Sequence, residues 1–142
     1  MQIFIPYKSP LDCAIVLDTK RFNKQILETR QILTALSGHT KGYLNHPVTK
    51  MYASHQKWLR YYLKTFEMFQ EGNIMLARIY SKKADMCRPK WMNDELCDQH
   101  KRRLHTKRLD LYPQWEYLGF SSENWYIVDG ETRKYINGNL VK

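Results

Sequence analysis

Apolar residues recur along most of this chain at helical spacing, and the pattern predicts a mainly α protein with a short β-hairpin at its end. Phe22, Ile26, Thr29, Leu33 and Leu36 form one stripe of a helix expected from Pro10 to Leu36, with a break near Asp18. Gly38 stands where a C′ residue would close that helix. Asn45-His46-Pro47 has the form of a helix entry, because a proline in the first turn needs no amide donor. The helix that follows should carry Met51, His55, Trp58, Tyr62 and Phe66 on one face and end at Gly72. Two more are expected, from Asn73 to Met86 before Pro89 and from Asn93-Asp94 to about Leu111 before Pro113. Ile3-Phe4-Ile5 is a short apolar run ended by Pro6. Trp125 to Val128, then Asp129-Gly130, then Glu131 to Ile136 reads as a hairpin with an Asp-Gly turn. No repeat or low-complexity linker interrupts residues 1–142, which are expected to form one compact helical bundle.

Composition narrows the class. With 43% hydrophobic and 26% charged residues the chain has the makings of a globular core. Its apolar runs are far shorter than the ~20 residues that span a bilayer, and its start lacks the basic and long apolar regions of a signal peptide. Cys13, Cys87 and Cys97 make neither a CxxC pair nor a zinc pattern, so thiols in a reducing compartment and no structural metal are expected. Charge adds most: 23 Lys plus Arg against 14 Asp plus Glu give a formal +9. That excess points to a polyanionic partner. Ten tyrosines and four tryptophans favour nucleic acid over an anionic membrane, since aromatic faces stack on unpaired bases.

Two constellations carry candidate chemistry. Arg21, Lys24, Glu28 and Gln31 share a stripe beside the apolar one on the first long helix. A solvated face with one i,i+4 ion pair has the same spacing, so the stripe alone leaves both readings open. Asn45 and His46, just before Pro47, lie where backbone donors at a helix start can receive a phosphate or carbonyl oxygen. The run from Gln99 to Arg108 holds Lys101, Arg102, Arg103, Lys107 and Arg108 and no acid. On a helix Lys101, His105 and Arg108 share one side, as do Arg103 and Lys107, and phosphate contacts there would make binding fall steeply with salt. His55, Trp58, Tyr62 and Phe66 are expected in the core rather than at a stacking platform.

A resemblance then emerges from an ordered set of blocks. Met1-Gln2-Ile3-Phe4-Ile5-Pro6-Tyr7 is followed by Leu17-Asp18, Lys20-Arg21, Lys24-Gln25, Glu28 and Gln31, and then by Asn45-His46-Pro47 with Met51-Tyr52. Together they are similar to the pyrimidine-dimer DNA glycosylase family, whose best-known members are phage enzymes called endonuclease V. Gln99-His100-Lys101-Arg102-Arg103-Leu104 with Tyr112-Pro113 resembles that family's C-terminal block. Residues from about Gly119 to Lys142 have no placed counterpart.

The resemblance implies a mainly α-helical enzyme of DNA repair, a glycosylase coupled to an abasic-site lyase. In that family an N-terminal α-amine attacks C1′ of the damaged nucleotide and forms an imine. A carboxylate assists, and cations hold the phosphates of a distorted duplex. The residues of this chain expected to fill those roles are Met1, Lys24, Glu28 and His46 as catalytic groups. Lys20, Arg21, Gln31 and Asn45 with Lys101, Arg102, Arg103, Lys107 and Arg108 are expected as DNA contacts. No metal or organic cofactor is required, and a monomer in a bacterial or phage-infected cytoplasm is expected. An α-amine with its pKa near 7.7–8 is partly neutral, and so nucleophilic, at physiological pH. Two departures stand out. The family's nucleophile is a small residue exposed by removal of the initiator Met, whereas the bulky Gln2 leaves Met1 in place with its amine one residue further out. The family's glutamate directly follows an arginine, whereas Arg21 is followed by Phe22, and the only carboxylate on the basic stripe is Glu28, two turns further on. Lys20 or Lys24 as the amine, a non-catalytic DNA-binding scaffold, and an enzyme modifying nucleotides through the same residues remain alternatives.

Overall fold

The computed structural model describes every residue except 41, 129, 130, 137, 138 and 142. Among the described residues, six α-helices lead into a 3₁₀ helix and a three-stranded antiparallel sheet. The helices are α1 (Pro10–Val16), α2 (Thr19–Leu36), α3 (Pro47–Tyr52), α4 (Gln56–Gln70), α5 (Ile74–Met86) and α6 (Asp94–Lys107), followed by the 3₁₀ helix Pro113–Leu118. The strands are β1 (Asn124–Val128), β2 (Glu131–Ile136) and β3 (Asn139–Val141), in the order β1-β2-β3. β1 and β2 pair from Asn124↔Tyr135 to Val128↔Glu131, the expected hairpin, while its Asp129-Gly130 turn lies outside the described residues. β3, paired to β2, was not expected from the pattern. Among the described residues no helix is long and apolar enough to cross a membrane.

Helix boundaries follow local chemistry more finely than periodicity does. The stretch from Pro10 to Leu36 divides because Asp18, in an extended conformation, caps α2 by accepting from Arg21 N at 3.4 Å. Tyr112 reinforces the break: its hydroxyl accepts from Asp18 N and donates to the Asp18 carboxylate. The helix expected from Pro47 to Gly72 divides at Ala53–His55, where His55 leaves helical geometry (φ −129°, ψ 32°) and its ring meets Trp91 edge-on. His55 is therefore half-buried at a junction and not a core residue. Helix α6 ends at Lys107, short of Leu111, because Arg108 turns extended and its carbonyl receives Leu111 N and Tyr112 N. Asn73 and Asn93 cap α5 and α6 through Leu76 N and Leu96 N, as asparagine does when its side chain takes up an orphan amide. Gly38 (φ 84°) and Gly72 (φ 79°) close α2 and α4 in the left-handed region.

Helix α4 is the centre of the packing, in contact with α1, α2 and α5. Its Trp58, Tyr62 and Phe66 are buried, and with Tyr52 and Phe22 they build an aromatic column. Successive ring centroids in that column are 4.5–5.7 Å apart. Ile3, Ile5 and Ile32 lie beside it, fully buried.

Residues 1–5 run extended through this core without belonging to a sheet, so their amides and carbonyls cannot be satisfied by a ladder. Side chains from four elements take that role. Gln25 of α2 accepts from Phe4 N at 2.8 Å and donates to Gln2 O at 3.1 Å. Tyr62 of α4 donates to Phe4 O at 2.9 Å, and Tyr126 of β1 donates to Met1 O at 2.9 Å. His100 of α6 accepts from Ile5 N at 2.8 Å, and burial pushes its pKa down to about 3, so the ring stays a neutral acceptor.

Replacing Gln25, which is 1% exposed, by leucine conserves volume but strands Phe4 N and Gln2 O. Gln25→Leu is expected to cost about 2–6 kcal/mol, the sum for two buried groups left unpaired at about 1–3 kcal/mol each. Urea unfolding measures it, and a loss below 0.5 kcal/mol, on the order of one ordinary net hydrogen bond, contradicts the anchoring role.

Candidate active site

The anchored segment delivers Met1 to a small cleft of about 180 Å³ at the foot of α2. The first three turns of α2 supply Lys20, Arg21, Lys24, Gln25 and Glu28, while Lys107 comes from the end of α6 and Asn124 from the start of β1. Met1, Gln2 and Phe4 complete the wall. Four side-chain cations and a terminal amine thus surround one carboxylate, an arrangement suited to a phosphodiester beside a reacting group.

Glu28 is the unusual member. Its side chain is 9% exposed, against 61% for Lys24, whose ammonium stands 3.8 Å from Oε1. Its Oε2 accepts from Gln2 N at 3.4 Å. Burial raises the Glu28 pKa, and the Gln2 amide, the Met1 amine, Lys24 and Lys107 offset that only in part. A carboxyl whose proton affinity is raised, set next to an amine, is better suited to give and take a proton than an ordinary surface carboxylate.

Arg21 is tethered at the cleft edge: its Nη1 lies 3.4 Å from Asp18 Oδ1, and Asp18 is held in turn by Tyr112. Partial burial works against the Asp18 carboxylate, but the Tyr112 hydroxyl and Arg21 outweigh it and keep its pKa low. Asp18 is therefore ionised and holds Arg21 in place. His46 caps α3 by accepting from Val48 N through Nδ1 at 3.1 Å, and its ring stands edge-on to Tyr126. Burial first, and the Met1 amine second, lower its pKa. His46 thus lies close enough to feel the amine without lining the cleft.

The other residues singled out from the sequence are placed elsewhere. Asn45 is exposed in the loop before α3, and Gln31 is half-buried beyond the cleft. The basic run does not form one face. Lys101 pairs with Asp98 at 3.4 Å, lies over the Tyr7 ring, and lines a second groove with Lys8, Arg88 and Asp94. Arg102 donates through Nε to Leu118 O at 2.9 Å and lines a third groove. Arg103 donates through Nε to Asn124 Oδ1 at 3.2 Å. Arg108, beyond the helix end, pairs with Asp110 at 2.7 Å, and His105 is buried with Nδ1 on Tyr112 O. Of the run, Lys107 alone enters the cleft. Gln2, Gln25 and Asn124 were missed as site residues. Gln25 carried a signal, being a polar residue on the apolar side of α2 between Phe22 and Thr29; Asn124 carried none, since its approach depends on how β1 docks. Among the described residues no three His, Cys, Asp or Glu side chains gather as a metal site would require.

A family model described as pyrimidine dimer DNA glycosylase matches residues 1–73, just over half of the chain's 142 residues. The chain belongs to the pyrimidine dimer DNA glycosylase family. The matched region spans α1 to α4 and so contains Met1, the α2 stripe with Glu28, and His46; Lys107 and Asn124 come from beyond it. Neither a curated protein nor a solved structure matches the chain.

The raised pKa of Glu28 carries a stability consequence. Its contribution is fully present below the unfolded carboxyl value near 4.5 and is lost as pH rises through the higher folded value. Glu28→Gln is therefore expected to be more stable than the parent at neutral pH, with the difference shrinking on acidification. Thermal unfolding of both proteins across that range checks this; a neutral-pH advantage for the parent contradicts it.

Proposed function

We propose that this protein excises damaged pyrimidines from duplex DNA through an imine formed at the terminal amine of Met1, with Glu28 as the acid–base group. The amine adds to C1′, loses a proton and displaces the base, which leaves with a proton; the C1′–O4′ bond then breaks, O4′ taking a proton, as the imine forms. The imine makes the adjacent C2′ proton acidic, and its removal expels the 3′ phosphate, giving abasic-site lyase activity. Glu28 supplies and accepts these protons, and Lys24 steadies its charged form. His46, neutral and near the amine, has Nδ1 taken up by Val48 N and so presents Nε2–H as a hydrogen-bond donor at the cleft edge.

The single observation that carries this reading is the buried Glu28 carboxylate, bonded to Gln2 N, among four cations and the Met1 amine. A carboxylate that merely balanced charge would gain nothing from burial, which works against ionisation. The family relation gives the substrate class, and the +9 net charge suits DNA. Lys20 and Arg21 grip the phosphate flanking the lesion, while Arg102 and Arg103 add positive charge further along the duplex. A non-catalytic scaffold would need no amine held beside a proton donor. No step requires an organic cofactor.

Glu28→Gln is expected to slow excision of a thymine dimer by about 10²–10⁴-fold while duplex binding is retained, because volume is kept and the proton capacity is lost. Lys20→Ala with Arg21→Ala is expected to flatten the slope of log affinity on log salt by about 1.8, two contacts at roughly 0.9 each. Single-turnover assays and salt titrations measure these; parent-like turnover in Glu28→Gln removes Glu28 from the chemistry.

A further inference from the structure

The peptide group between Met1 and Gln2 is held at both of its polar atoms. Tyr126 of β1 donates through its hydroxyl to Met1 O at 2.9 Å, and Gln2 N donates to Glu28 Oε2 at 3.4 Å. The group is planar, so these two contacts fix its orientation and leave a single torsion between it and the terminal amine. The other side chains that anchor residues 1–5 act further along: Gln25 on Gln2 O and Phe4 N, Tyr62 on Phe4 O, His100 on Ile5 N. Strand β1 is itself braced. Gln2 Nε2 donates to Trp125 O at 3.3 Å, the strand pairs with β2, and the buried Tyr126 ring stands edge-on to His46 with centroids 5.7 Å apart.

The two holds on that peptide group differ in kind. The bond to Glu28 is strengthened by charge while the carboxylate is ionised, and it weakens when the carboxylate takes up a proton. The Tyr126 bond joins a hydroxyl to a carbonyl and does not change with the state of Glu28. We propose that Tyr126 is a positioning residue for the reaction: by holding Met1 O it keeps the terminal amine directed at C1′ while Glu28 passes its protons. The inference rests on the proposed function, which makes the Met1 amine the nucleophile and Glu28 the acid–base group. Whenever Glu28 is protonated, the Gln2 amide is held less firmly, and Tyr126 fixes the peptide group from its other end. Tyr126 acts through the Met1 backbone rather than on the sugar. It also lies beyond residues 1–73, so the contact comes from outside the region matched by the family. Misplacing a reacting group by about 1 Å costs on the order of 10²-fold in rate, so a loosened amine shows itself in the chemical step.

The test compares Tyr126→Phe with Tyr62→Phe in the whole chain. Each change keeps the ring and removes a hydroxyl that donates to a carbonyl of residues 1–5 at 2.9 Å, but only the first touches the residue bearing the amine. The probe is a duplex with one abasic site; borohydride reduces the imine to a stable linkage, and peptide mass mapping locates it at Met1. Tyr126→Phe is expected to lower the single-turnover trapping rate at saturating DNA about tenfold or more, with the half-saturating DNA concentration unchanged. Tyr62→Phe is expected to lower the urea midpoint yet leave the saturated rate within about twofold of the parent. Acylation of the Met1 amine by a small reagent is expected to run at the parent rate in Tyr126→Phe, since the amine is misplaced and not less nucleophilic. The urea midpoint of Tyr126→Phe verifies that these rates belong to folded protein. A parent-like saturated rate in Tyr126→Phe, equal slowing in both variants, or acylation slowed as much as trapping overturns the positioning role. With a Met1 adduct in the parent, those outcomes overturn the Tyr126 role alone; a parent that forms no Met1 adduct overturns the proposed function and this inference together.

Discussion

The structure depends on an extended segment, residues 1–5, buried without a strand partner. A buried backbone amide or carbonyl left unpaired costs about as much as a lost hydrogen bond. Gln25, Tyr62, His100 and Tyr126 meet that requirement from α2, α4, α6 and β1. The same contacts lock those elements to one another, because each side chain can reach the segment only if its element is docked. Glu28 belongs to this set by position, bonded to Gln2 N, yet differs in kind. It is a charged group where a neutral acceptor would serve the fold at less cost.

That contrast separates scaffold from chemistry. Gln25 and His100 are neutral acceptors, His100 held so by burial, and both stabilise the amides they meet. Glu28 is desolvated among cations, and its proton affinity rises despite them because burial dominates. A site that sacrifices stability to keep a carboxyl buried beside an amine is a pattern expected of an enzyme, and the chain belongs to the pyrimidine dimer DNA glycosylase family. Asp18 shows the reverse case. Hydrogen bonds from Tyr112 and the charge of Arg21 keep it ionised, and it serves to hold Arg21 at the cleft.

Much of this was legible in the residues. The Phe22–Leu36 stripe, the aromatic face of Trp58, Tyr62 and Phe66, and the hairpin strands follow from spacing, because periodicity reports which face of an element is buried. The stripe Arg21–Lys24–Glu28 was legible as a neighbour of the apolar face, and the structure brings it to one cleft. The break near Asp18 was legible too, whereas the one at Ala53–His55 was not, since it depends on the Trp91 ring from a distant segment. The basic run misled for the same reason. Composition gave five cations in sequence, but the end of α6 at Lys107 and the partners Asp98, Leu118, Asn124 and Asp110 distribute them over separate surfaces. Asn45 and Gln31 share motifs with the site but not its space.

The central claim is that the cleft holding Met1 and Glu28 is where DNA reacts. A crystal structure of the borohydride-trapped protein–DNA complex tests it most directly. The account predicts the deoxyribose C1′ bonded to an amine of that cleft, with the Glu28 carboxylate beside it and the flanking phosphate against Lys20 and Arg21. A sugar bound instead in the groove of Lys8, Arg88 and Lys101, with the Met1 cleft free of DNA, would contradict it.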